Sequence, residues 1–198
     1  MRICLSVLIL IFSFQTWTNA DDIRDFQIEG MSIGDSALKY FSKDQINANK
    51  YFAYPLKTYF QTYIRTPNSK MYNAVQLSIK DGDNNFIIES IEGGILPIKF
   101  SACKKQKKKI EKEIMEAFYG LKVTYGKEKP MWSDSKSKEI TTDFYLNTSF
   151  LNGGVIRVIC VDRSKQIEDE KGWVDSLRVI ANSKEFNKFV DDNVNLSN

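Results

Sequence analysis

The chain contains no histidine, and that decides much of the chemistry open to it. Ser-His-Asp and Cys-His nucleophile pairs are excluded, as is every histidine-ligated metal site. Of the three cysteines, Cys4 belongs to an apolar leader. Cys103 and Cys160 remain, too few thiolates for a structural zinc site. Acid–base work would fall to carboxylates. Asp143, Asp162 and Asp175 occur on or beside the last three strand patterns, where a close pair would suit a histidine-free hydrolase. Without a fixed register no separation follows, and acids at strand ends are usually solvated. No catalytic residue, cofactor or metal is expected.

Asp81, Asp83, Asn85 and Glu92 fall at positions one, three, five and twelve of a calcium-loop template. Position six requires glycine and carries Phe86. Asp-Gly between alternating apolar runs is instead a hairpin turn.

Lys104, Lys105, Lys107, Lys108, Lys109 and Lys112 form the densest charge run. Cations in the first turns of a helix oppose its macrodipole, so helix stability does not account for them. A solvated face, helped by Glu111, Glu113 and Glu116, is the plainer reading. The functional reading is an anionic partner: lipid headgroups, an acidic glycan or a protein. Tyr51, Phe52, Tyr54, Tyr59, Phe60 and Tyr63 are candidates for a ligand groove, or for ordinary sheet packing.

The elements that must position these residues follow from periodicity. Residues 1–20, with Arg2 before an apolar run and Ala20 at the close, have the pattern of a cleavable signal peptide. The remainder, 21–198, is expected to be a single exported α+β domain. A short helix is expected from 33 to 41 with Ser32 or Asp35 as its cap, and strands at 57–65, 72–80 and 86–92. Ser101 is expected to cap a long helix, 102–119. A polar loop follows at 127–138, then strands at 140–148, 154–162 and 174–181 and a terminal helix opening at Ser183. The fold class is therefore α+β: an antiparallel sheet of about six strands in two three-stranded meanders, with one long and two short helices packed on one face. The order hints at two similar halves, although no residue-level repeat supports it.

Cys103 lies on the apolar stripe of the long helix with Ile110 and Ile114. Cys160 shares a strand face with Ile156 and Val158. If that helix packs on that face the thiols meet, and in an oxidising compartment they would pair. A three-residue loop, Leu151-Asn152-Gly153, would set Phe144 opposite Cys160, Leu146 opposite Val158 and Thr148 opposite Ile156.

The segment from Phe26 through Gly30-Met31-Ser32 to Ser36, the single mature cysteine pair and Ser176-Leu177-Arg178-Val179 resemble small exported proteins of unknown function from marine alphaproteobacteria with reduced genomes. Gly30-Met31-Ser32 before a meander also resembles the BamE/SmpA type of outer-membrane assembly module, without its lipid-attachment cysteine. The expectation is a periplasmic or extracellular, non-catalytic binding or accessory protein of the cell envelope. Its partner would be an envelope protein or an anionic surface, not nucleic acid, and the chain would not be an integral membrane protein. A small-ligand binder using the aromatic region is the alternative, and the carboxylate hydrolase a further one.

Overall fold

A computed structural model describes residues 22–131, 134–146 and 154–196. The leader, residues 1–20, and the expected loop residues Leu151, Asn152 and Gly153 lie outside them. Among the described residues nine strands form one antiparallel sheet. They are β1 (Lys50–Tyr51), β2 (Tyr59–Arg65), β3 (Ala74–Lys80), β4 (Ile88–Ile95), β5 (Lys122–Tyr125), β6 (Lys129–Met131), β7 (Asp134–Tyr145), β8 (Val155–Asp162) and β9 (Ser176–Asn182). Four α-helices accompany them: α1 (Lys43–Ala48), α2 (Phe100–Ala117), α3 (Lys165–Lys171) and α4 (Lys184–Leu196). The antiparallel α+β class stands, with more strands than the six expected. No described helix is long and apolar enough to cross a membrane.

The extra strands are β1, β5 and β6, and the expected polar loop 127–138 holds β6 and the start of β7. These three strands lie at the sheet margins with most side chains exposed, so the alternation that marks a half-buried strand is missing from them. The expected helix at 33–41 is a 3-10 turn, Ala37–Lys39, capped by Ser36. Leu38 points outward there, 43% exposed, which breaks the apparent apolar stripe. Lys99, not Ser101, stands at the cap position of α2 and makes no side-chain cap bond. Ser183 does cap α4, accepting from the Phe186 N–H.

The spatial order is β1-β2-β3-β4-β9-β8-β7-β5, with β6 also on β7. Each half is thus a helical segment followed by a meander, and the last strands of the halves, β4 and β9, pair in the centre. Thr62 lies opposite Leu77, and Leu77 opposite Ile91. Thr142 lies opposite Val158, and Val158 opposite Val179. Ile91 and Val179 each stand one residue before the central pair Glu92–Ile180. Thr62 and Thr142 are therefore equivalent under a two-fold rotation, and both are buried. The likeness between halves lies in topology, which needs little residue identity.

One face of the sheet is the core. Leu77, Ile91, Phe144, Ile156, Val158, Leu177 and Val179 are fully buried there, each contributing roughly 1.5–3 kcal/mol of burial. A bulge between Ser78 and Ile79 lets both Ile88 and Ile91 reach this face. α2 crosses β8 and β9, and the N-terminal segment covers β2 through the bond from Thr62 Oγ1 to the Ile46 carbonyl, 2.9 Å. The helices do not all pack on one face, contrary to expectation. Phe186 and Phe189 of α4 pack on Tyr59, whose strand position is opposite to that of Phe60. A second, smaller core forms there.

The β7–β8 register also differs from expectation. Phe144 lies opposite Ile156, and Ile140 opposite Cys160. The described pairing runs as far as the bond from the Leu146 N–H to the Gly154 carbonyl, 3.1 Å, and the expected partner position Thr148 lies outside the described residues. The displacement is even, and an even shift keeps every side chain on its face. Phe144, Ile156, Val158 and Cys160 still share the core face.

Candidate functional site

Cys103 and Cys160 are fully buried. Their sulfurs are 2.01 Å and their Cα atoms 5.8 Å apart, the geometry of a disulfide. The register differs from the one expected, but the shared face suffices to bring them together.

The lysine run divides. Lys107, one turn beyond Cys103, falls on the inner side of α2 and is 5% exposed. Its ammonium donates to the Glu111 carboxylate and, at 2.5 Å, to Thr142 Oγ1. It is a buried ion pair and is removed from any outer binding face, because a run so dense cannot avoid the inner stripe of a 3.6-residue helix. Lys104 is half-exposed, 4.7 Å from the Phe100 ring centre and 3.7 Å from Glu128. Lys105, Lys108, Lys109 and Lys112 are exposed. Lys109 and Lys112 pair loosely with Glu113 (3.8 Å) and Glu116 (3.5 Å). In both pairs lysine precedes glutamate, the weaker orientation. The first turn of α2, Phe100 to Cys103, has neither acid nor base, and the last has Glu116 but no base. Glu116 opposes the macrodipole, whereas the lysine run begins beyond the turn where that field acts most.

Asp143 stands apart from Asp162 and Asp175, whose charges are close enough to interact. Asp143 accepts from Arg157 at 2.5 and 3.2 Å on the open face of the sheet. Burial, and then the charge of Asp175, push the Asp162 carboxyl above its ordinary range. Asp175 accepts from the Arg163 N–H at 2.7 Å. The calcium template is dispersed as well: Asp83 accepts the N–H groups of Asn85 and Ile87, Asp81 pairs with Lys50, and Glu92 is held by Arg178 at 2.5 Å. Among the described residues no acidic or thiol cluster could hold a metal ion.

The aromatic stretch 51–63 is likewise divided by strand alternation. Phe60 enters the main core. Tyr54 and Tyr59 pack with Phe186 and Phe189. Tyr51 is exposed and donates to Gln76 at 2.8 Å. They do not form one groove.

An apolar cleft of about 380 Å³ opens elsewhere, between α2, the segment around Phe26 and the loop 70–72. Ile110 and Ile114 of α2 line it with Phe118 just beyond the helix, together with Met71 and Tyr72. The turn Glu29-Gly30 builds its support: both residues have positive φ, 51° and 80°, and Ile28 and Met31 bridge across them. Such a turn ordinarily takes Asn or Gly. In this chain the Glu29 carboxylate reaches the loop and accepts the N–H groups of Lys70 (3.3 Å), Met71 (2.9 Å) and Tyr72 (2.9 Å). Burial alone would raise its pKa, but those three donors together hold it below the usual carboxylate range. The sequence signal for this clasp is Ile28-Glu29-Gly30-Met31. Its contact with residues 70–72 cannot be read from spacing. No family model, curated protein or solved structure matches this chain.

Proposed function

We propose that the protein is an exported, non-catalytic binding protein of the cell envelope, and that the outer face of α2 meets an anionic partner. The observation that carries this is the charge layout of α2. Lys105, Lys108, Lys109 and Lys112 recur at helical spacing on one solvent-facing side of α2, and the two that pair do so loosely, each preceding its glutamate in the weaker orientation. Stability of the helix would favour the reverse order, so another use of the charges is the better account. The bond between Cys103 and Cys160 fastens α2 to the sheet, so this face is presented without folding on contact. A structural disulfide also fits an oxidising, extracytoplasmic location.

The test is sedimentation with vesicles of phosphatidylglycerol and phosphatidylcholine, against phosphatidylcholine alone. Binding to the anionic vesicles is expected at low salt and should weaken steeply at higher salt. Replacing Lys105, Lys108, Lys109 and Lys112 by glutamine should abolish it while the thermal midpoint holds or rises. Equal behaviour of both vesicle types would overturn the reading. A second reading has its own observation: Tyr51, Tyr63, Tyr145, Arg157 and Arg178 lie on the open sheet face, and Tyr and Arg are the side chains enriched at protein interfaces. Photo-crosslinking from position 76 in the native envelope would capture such a protein partner.

A further inference from the structure

We infer that the cleft between α2 and the loop 70–72 is a binding site for a small, uncharged, apolar molecule carrying one hydrogen-bonding group. The volume of about 380 Å³ lies within the range of small-molecule sites, and the walls are mainly aliphatic and aromatic. Phe26 and Phe118 line it with ring centres 6.1 Å apart.

The polar element is Tyr72. The residue is only 7% exposed, yet its hydroxyl has no hydrogen-bond partner among the described residues. Its ring is seated on Gly93, where a Cβ would stand 2.6 Å from Tyr72 Cγ, so the phenol cannot swing inward. Burial, then the charges of Glu29 and Glu113, raise its pKa to about 12, and the hydroxyl stays protonated at neutral pH. The ring is buried but the hydroxyl itself is open to solvent, so a ligand group that replaces its water keeps a hydrogen bond at the cleft.

Charge sets the class of that partner. Glu29 and Glu113 line the cleft against one cation, Lys70, so an anionic ligand is disfavoured. Glu29 is held at positive φ, which strains a residue with a side chain, and the clasp on residues 70–72 is what that strain secures. The wall carrying Tyr72 is thereby set before any ligand arrives. This inference does not depend on α2 binding an anionic surface, since the cleft lies to one side of the exposed lysines.

The experiment uses N-phenyl-1-naphthylamine and its sulfonated analogue 1-anilinonaphthalene-8-sulfonate, each titrated fluorimetrically against the folded, oxidised chain without vesicles. The uncharged amine is expected to saturate at one per chain with a micromolar Kd, and the sulfonate to bind at least tenfold more weakly. Ala117→Trp, at the cleft wall, should abolish binding of the amine, whereas Ala102→Trp, on the same helix but outside the cleft, should leave it unchanged. Tyr72→Phe should weaken it about three- to tenfold. Thermal midpoints identify any variant that fails to fold, and the pair of tryptophan variants keeps the comparison valid. Unsaturable binding of the amine, equal binding by Ala117→Trp, or tighter binding of the sulfonate would overturn the assignment.

Discussion

Lys107→Met should destabilise the fold far more than the same change at any other lysine of the run. The Lys107 and Glu111 side chains are 6% and 11% exposed, so each is largely removed from water. Losing the ammonium leaves the Glu111 carboxylate buried and unpaired, a loss of about 3–5 kcal/mol. Thr142 also loses a donor, adding on the order of 1 kcal/mol. Against a total stability of about 5–15 kcal/mol this is a large fraction. The thermal midpoint should fall by roughly 8–24 °C, at about 2–4 °C per kcal/mol for a chain this size. Lys107→Met with Glu111→Leu removes both charges and should recover most of the loss, since replacing a buried pair by apolar side chains is often neutral or stabilising. Urea unfolding followed by tryptophan fluorescence measures all three chains, with Lys108→Met as the exposed control, expected within about 0.5 kcal/mol of the parent. If Lys107→Met matches Lys108→Met, the pair is solvated and the burial of Lys107 beneath α2 is refuted.

Replacing both Cys103 and Cys160 by serine opens a loop with a sequence separation of 57. It should cost about 4 kcal/mol in the chain-entropy model, read as a lower urea midpoint equal to that of the reduced parent; an unchanged midpoint would refute it. Asp134 accepts from Ser137 Oγ, Ser164 Oγ and the Lys136 N–H, the hydroxyls chiefly holding its pKa at about 2. Because the folded value is depressed, its contribution is present above the ordinary value of 3.8 and is lost as pH falls towards 2. Asp134→Asn should therefore show a shallower decline of urea midpoint between about pH 4 and pH 2; parallel curves would exclude this role. Gly93→Ala puts a methyl group against Tyr72 Cγ and Ile28 Cγ2, at 2.6 and 2.8 Å. It should destabilise by about 1–3 kcal/mol through overpacking, and Tyr72→Ala in the same chain should relieve part of that loss in a double-mutant cycle.

The meeting of Cys103 and Cys160 is legible in the sequence because two periodicities point to it, 3.6 along α2 and 2 along β8. Strand alternation assigns a face but not a loop length, so it puts Phe144 on the correct face and leaves its partner across the strand open to error. β5 and β6 are hidden because an exposed edge strand carries no apolar alternation. The inward placement of Lys107 is written in its position one turn beyond Cys103, but in a run of like residues uniform charge masks helical phase. The cleft is beyond reach for a different reason. Its walls come from residues 26–29, 70–72 and 110–118, and local patterns carry no record of contacts made at such separations.

The pairing of β4 with β9 joins segments nearly ninety positions apart, Glu92 with Ile180, at the middle of the sheet instead of its margin. A chain emerging from its N-terminus completes β1 to β4 first and holds β4 as a bare edge, with Ile88 and Ile91 uncovered on one side. That edge offers unpaired N–H and C=O groups to any extended segment nearby. Its proper partner is among the last strands made, and long-range pairing of this kind is intrinsically slow. A seam at the middle of the finished sheet is thus an open edge of the half-made one, and it stays open until β9 arrives.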